Sequence, residues 1–159
     1  MIAKLAYAAV IAVTFTSPLS AQNIETWNEA RAVAFTSVCL ASAPSFDDVG
    51  KNAGNLGFRT SPEGLILDPE VVVSLQQTAT DCSCYMTMGA PDQTALVTRI
   101  FQKMIADFGN DFRPDERELV NDTTFVREGQ SVRVTLDPAD IGGNPWIAGR
   151  VTREGTCQS

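Results

Sequence analysis

The chain has 159 residues, with 12 Lys and Arg against 19 Asp and Glu, no His, and a formal net charge of −7. Such an acidic balance works against nucleic acid and anionic lipid surfaces, because both need Lys and Arg as counter-charge. Without His, every catalytic dyad or triad built on imidazole is excluded.

The first 21 residues, MIAKLAYAAVIAVTFTSPLSA, read as a secretory signal peptide. Lys4 supplies the early positive charge, Leu5 to Phe15 the apolar run, Pro18 the helix break and Ala21 the small residue before the cut. Leu19, third back from that cut, is larger than the residue usually found there. The apolar run is too short for a bilayer span of about 20 residues. Loss of Lys4 lowers the basic count from 12 to 11 against 19 acids, so the expected mature chain from Gln22 carries a net charge near −8. Its length fits one domain over 22–159, and no later segment is apolar enough to span a membrane.

Residues 23 to 42 follow helical spacing through Ile24, Trp27, Arg31, Phe35, Val38 and Ala41, and Pro44 ends the run. Ser45, with Asp48 three places on, resembles a capping box for a second helix with an apolar face of Phe46, Val49, Ala53 and Leu56. Gly57 suits its left-handed stop. Leu65–Leu67 and Val71–Leu75 flank Asp68-Pro69 and read as extended segments, β-branched in the second case.

The stretch DCSCYMTMG places Cys82, Cys84, Met86 and Met88 at period two, with Ser83, Tyr85 and Thr87 between them. In a strand these sets face opposite sides, and the sulfur-bearing set is expected to face the core. Cys39 and Cys157 complete an even count of four, which in an exported chain reads as two disulfides. A Cys82–Cys84 bridge would close a very small ring, which disulfide geometry resists. Both cysteines are therefore expected to take distant partners. Cys39–Cys82 with Cys84–Cys157 is slightly preferred over the swapped pairing. A redox pair is disfavoured by Asp81, whose charge would raise a neighbouring thiol's pKa. A zinc site lacks His and would need reduced thiols.

Next comes the clearest helix. Pro91 and Asp92 suit its first turn. Leu96, Ile100, Met104 and Phe108 recur four apart, flanked by Val97, Phe101 and Ile105, so the helix should be buried. Gly109 ends it before an acidic stretch. TFVREGQSVRVTLD then reads as a hairpin turning at REGQ, with Val132, Val134 and Leu136 alternating with polar residues. DPADIGGNPW reads as a loop and Trp146–Arg153 as the last strand. The expected fold class is α+β: an antiparallel sheet of four to five strands packed against helices on one face, with two disulfides.

Few residues point to chemistry. The Gly pair at 142–143 lacks the spacing of a phosphate loop. Glu63, Asp68 and Asp81 could serve a carboxylate hydrolase but read equally well as turn residues. Asp107, Asp111, Asp115 and Glu118 match places one, five, nine and twelve of a calcium loop, but Gly109 and Phe112 fail at places three and six. Asn121 to Thr123 forms a glycosylation tripeptide. Asn144, Pro145 and Trp146 form the best exposed binding candidate, against the alternative that Trp146 opens a buried strand.

These features favour a small periplasmic or secreted non-enzymatic protein that binds a protein partner, of inhibitor or accessory type, with no cofactor or metal. The alternatives are a thiol-disulfide oxidoreductase using Cys82-Ser83-Cys84, a carboxylate hydrolase, or a small-ligand carrier. Export carries its own test: N-terminal sequencing of protein from the native compartment should begin at or near Gln22, and an intact Met1 there would rule the signal peptide out.

Overall fold

A computed structural model describes residues 19–109 and 122–157, with side chains from residue 23 onward. Helix α1 (Leu19–Phe35) runs directly into a π-helical segment, Thr36–Leu40, and the pair covers the helix expected over 23–42 up to Leu40, with Ala41 and Ser42 already in a turn. The first three residues of α1 lie within the segment expected to be cleaved. The second helix starts later than its supposed cap. Helix α2 covers Val49–Asn55 with Asp48 at its N-cap, and Asp48 makes no side-chain capping bond. Ser45 instead accepts a bond from Asp47 N at 3.3 Å, and Phe46 sits at φ 65°, outside any helix. Three competing local hydrogen-bonders, Ser45, Asp47 and Asp48, favour a turn over a helical first turn.

Seven strands follow: β1 (Arg59–Ser61), β2 (Gly64–Asp68), β3 (Val71–Gln77), β4 (Asp81–Gly89), β5 (Asp122–Arg127), β6 (Gln130–Ile141) and β7 (Asn144–Glu154). They form one antiparallel sheet in the order β1-β2-β3-β4-β7-β6-β5. Helix α3 (Gln93–Phe108) connects β4 to β5. The α+β class holds, but the sheet is larger than the four to five strands expected. Strand β1 is only three residues, RTS, with no apolar alternation to reveal it.

The predicted loop DPADIGGNPW is in fact the end of a long hairpin. Strand β6 continues through Pro138 to Ile141, and β7 begins at Asn144. Only Gly142 and Gly143 turn, both with positive φ (63° and 82°), as a two-residue hairpin requires. Asp140 Oδ1 accepts from Gly143 N at 2.8 Å. Pro138 is tolerated because β5 pairs with β6 only as far as Thr135, so among the described residues no strand lies on that side to need the missing N–H.

The helices lie on one face of the sheet. Helix α1 packs on α3, and the π-helical segment touches β4 and β7. Met86, Met88, Val134, Leu136, Ile147 and Val151 point at Phe35, Val38, Leu96, Ile100 and Met104, all fully buried. Phe35 lies so close to β7 that a Cβ at Gly149 would fall 2.6 Å from its ring. Asp92 caps α3 by accepting from Ala95 N at 2.9 Å. Of the expected apolar positions, Ile24 and Ile105 are instead exposed, at the outer edge of their helical stripes.

One buried charge ties α1 to the sheet. Arg31 stacks on Trp27, 3.1 Å from the ring centroid. It donates to Glu70 Oε2 at 3.0 Å and lies 3.7 Å from Asp68. Burial lowers the pKa of its guanidinium, while Asp68 and Glu70 raise it. Arginine starts so high that it stays charged at neutral pH.

The stripe of α3 yields a prediction. Met104 is fully buried, so Met104→Asp places an unpaired charge in the core and should cost roughly 3 kcal/mol or more in urea unfolding. A midpoint within error of the native protein would show that α3 does not face the core.

Candidate functional site

The four cysteines form two bridges, Cys39–Cys84 and Cys82–Cys157, and no free cysteine is present. The staple reading holds, and the slightly preferred pairing is corrected to the swapped one. Antiparallel register explains the correction. Cys82 faces Arg153 near the end of β7, so the tail leaving Glu154 passes directly over it. Gly155 N bonds Thr80 O at 2.6 Å, and Arg153 Nη2 bonds Thr156 O at 2.6 Å, bringing Cys157 back to Cys82. Cys84 lies two residues deeper, opposite Val151, where the π-helical segment delivers Cys39. Cys82 and Cys84 are fully buried and not joined to each other.

The other residues singled out from sequence are scattered. Asp68 Oδ1 accepts from Glu70 N at 2.8 Å in the β2–β3 turn. Glu63 N donates to Ser61 Oγ at 3.2 Å in the β1–β2 turn. Asp81 accepts from the hydroxyls of Thr78 and Thr80 at the far end of β3. Glu63 lies in a turn, Asp68 ends β2 and Asp81 begins β4, so Asp68 and Asp81 flank opposite ends of the seven-residue β3. Asp107 pairs with Lys103 at 2.9 Å. Asp111, Asp115, Glu118 and Asn121 fall outside the described residues. Among the described residues no acid or cysteine cluster could hold a metal.

Asn144 and Pro145 are exposed at the hairpin end, and Trp146 is half-buried within β7. Trp146 belongs to a larger surface. Period two places it with Ala148, Arg150 and Thr152 on the face opposite the helices. Register adds Ser83, Tyr85 and Thr87 of β4, Arg133, Thr135 and Asp137 of β6, and Thr124 of β5. Among the described residues no element covers this face.

At its centre lies a polar cleft of about 520 Å³. Arg133 is gripped in a fork by Asp122, with Nε 2.8 Å from Oδ1 and Nη2 also on Oδ2. That contact holds the Asp122 carboxyl below its ordinary pKa. Arg150 sits diagonally across, its guanidinium 5.2 Å from the Tyr85 ring centroid. It makes no ion pair among the described residues. Ser83 and Thr152 share a hydroxyl bond of 2.9 Å beside it. Asp81, Glu154 and Asp137 rim the cleft. Sequence reasoning missed Arg133 and Arg150. Their signal is the polar half of the alternation in VRVTLD and in AGRVTRE.

No protein-family model, no curated protein and no solved structure matches the chain. Among the described residues no helix is long and apolar enough to cross a membrane. The two disulfides are compatible with an oxidising compartment.

The bridges close loops of 45 and 75 residues, worth about 4 kcal/mol each in the chain-entropy model. Non-reducing peptide mapping of the native protein should recover Cys39–Cys84 and Cys82–Cys157 with no alkylatable thiol. Reduction should lower the melting temperature by tens of degrees. Recovery of Cys39–Cys82, or of a thiol pair at Cys82 and Cys84, would contradict the pairing.

Proposed function

We propose that this is an exported, disulfide-stapled domain that acts by binding a protein partner rather than by catalysis, and that the partner docks on the open face of β4, β7, β6 and β5. The observation that carries the reading is Arg150. Its guanidinium is positioned by Tyr85, has no carboxylate among the described residues, and lies on the face that the helices leave uncovered. Arg, Tyr and Trp are the side chains that most often dominate binding energy at interfaces. Arg150, Tyr85 and Trp146 share this face, with threonine hydroxyls between them.

Charge describes the partner. A carboxylate is the complement of Arg150, since the fork of guanidinium donors matches it bidentately. The rim acids Asp81, Asp137 and Glu154 favour basic side chains around that contact. The net negative charge expected of the mature chain would steer a basic partner toward it. A carboxylate ringed by Lys and Arg is thus the complementary surface.

Affinity capture from an envelope extract, followed by titration of the captured protein, tests this. Arg150→Glu should weaken binding at least tenfold, on the order of 2 kcal/mol for a central arginine. Lys51→Glu, an exposed change on α2 at the helical side, should leave affinity unchanged. Equal affinity of the Arg150 variant and the native protein would remove the open face as the docking surface.

A further inference from the structure

We propose that the free edge of β5 accepts an extended segment of the protein partner as an eighth, antiparallel strand of the sheet. The inference rests on the reading of the adjoining open face as the docking surface and adds a second mode of contact to it.

The backbone sets which groups are available. Glu128 and Gly129 turn β5 into β6 with φ of 52° and 74°, so Arg127 and Gln130 close a two-residue hairpin as a hydrogen-bonded pair. Antiparallel bonding alternates along such a ladder. Thr123, Phe125 and Arg127 therefore exchange bonds with Val134, Val132 and Gln130, while Asp122, Thr124 and Val126 turn their N–H and C=O groups away from β6. The β6–β7 hairpin gives the same parity. Counted from its closing pair, Ile141 and Asn144, the even residues of β6 face β5. Strand β5 ends the sheet, and among the described residues no backbone partner meets the outward groups of Thr124 and Val126.

Natural sheet edges are blunted by short length, proline, bulges or charge. The far edge is blunted: β1 has three residues and Pro62 follows it, which leaves Thr60 alone in β1 facing outward. Strand β5 has six residues in regular register, with no proline, glycine or lysine. Its two charges do not guard the edge. Arg127 turns to the helical side, where it donates to Leu40 O at 2.7 Å and lies over the Phe108 ring, and Asp122 is held by Arg133. Val126 is 61% exposed, on the side that carries Arg133 and Arg150.

The neighbours select the occupant. Directly opposed side chains on a sheet pair by type. The complementary antiparallel strand sets an apolar residue against Val126, a threonine against Thr124 and a basic residue against Asp122, each two positions apart. The basic residue also suits the acidic surface expected of the mature chain. A second copy of the chain fits worse. The one register that pairs all three outward residues of β5 with themselves puts Val126 against Asp122 and joins two acidic chains.

The probe is the acetylated, amidated hexapeptide Thr-Val-Val-Thr-Thr-Lys, titrated into the native protein and followed by NMR chemical shifts and hydrogen exchange. Without it, the Thr124 and Val126 amides should exchange quickly while those of Thr123 and Phe125 are protected. At ten times its dissociation constant the peptide should slow the former pair about tenfold. N-methylation of its second and fourth amides, which face β5, should weaken binding tenfold or more, whereas N-methylation of its third and fifth should not. Thr124→Pro removes an outward N–H without touching a ladder bond. It should likewise weaken binding tenfold or more, with a melting temperature within a few degrees of native. Protection of Thr124 and Val126 in the free protein, no slowing by the peptide, equal binding by the two methylated peptides, or full affinity in a folded Thr124→Pro variant would each overturn the added strand. The peptide carries no acid for Arg150, so such a failure leaves the open face to be judged by the Arg150→Glu titration. Sedimentation completes the test: a dimer that Thr124→Pro dissociates would assign the edge to a second copy of the chain and overturn the proposal.

Discussion

Strand β4 is the constraint on which the rest of the molecule depends. It is paired along its length to β3 on one side and to β7 on the other. Its inward residues, Cys82, Cys84, Met86 and Met88, are fully buried. Two of those four are half-cystines, and each draws in one end of the described chain. Cys84 anchors the helical segment that follows α1, and Cys82 anchors the tail that follows β7. Segments near chain ends fray unless tied down. Here both are tied to one strand, at positions a single strand period apart, roughly 7 Å. The bridges thus reinforce the register that the antiparallel ladder sets.

That arrangement separates the surfaces of the protein. With α1, the π-helical segment and α3 held to one side, the inward alternation forms the core and the outward alternation is left to solvent. The inward side accommodates its polar groups individually. Arg31 is sandwiched between Trp27 and two carboxylates, and Arg127 donates to the Leu40 carbonyl at 2.7 Å at the end of the helical segment. Gln93 reaches from the first turn of α3 to the carbonyls of Ala139 and Trp146 at 2.9 and 2.7 Å. These contacts fix helices to strands without using the outward face. Tyr85, Arg133, Arg150 and the threonines are consequently left on a rigid platform, the kind of support on which a binding surface loses little entropy.

The elements legible in the sequence were those whose pattern was set by burial. The stripe of α3 was visible because Leu96, Ile100 and Met104 all face the core. The side-by-side staples were visible because period two put both sulfurs on one side. The pairing between them was not, because it depends on β7 lying beside β4, a long-range contact that no local residue announces. The length of β6 was hidden by Pro138 and the glycine turn, which read as loop punctuation although a strand whose edge no described residue pairs accepts the proline and a two-residue hairpin requires the glycines. The same locality limited the site. Trp146 was noticed as an aromatic near turn residues. Arg150 and Arg133 were not, since their proximity comes from β6–β7 register rather than from spacing along the chain.

Four buried side-chain atoms in the described residues have no partner: Asn28 Oδ1, Arg31 Nε, Thr123 Oγ1 and Arg153 Nε. They are not equivalent. Arg31 and Arg153 each leave one nitrogen unbonded while their terminal nitrogens hold Glu70 and Thr156 O. Their charge is fixed, and a single unmade bond is a modest remainder of an interaction that is otherwise complete. Thr123 occupies the inward face of an edge strand, where a β-branched side chain is favoured for its shape and the hydroxyl is incidental to the packing of its methyl. Asn28 has no such account. Its amide makes no hydrogen bond within the described residues, and its shape offers α1 nothing that alanine or leucine would not. Its oxygen is sealed from solvent and unbonded, so Asn28 is a local cost that the packing of α1 on α3 must offset.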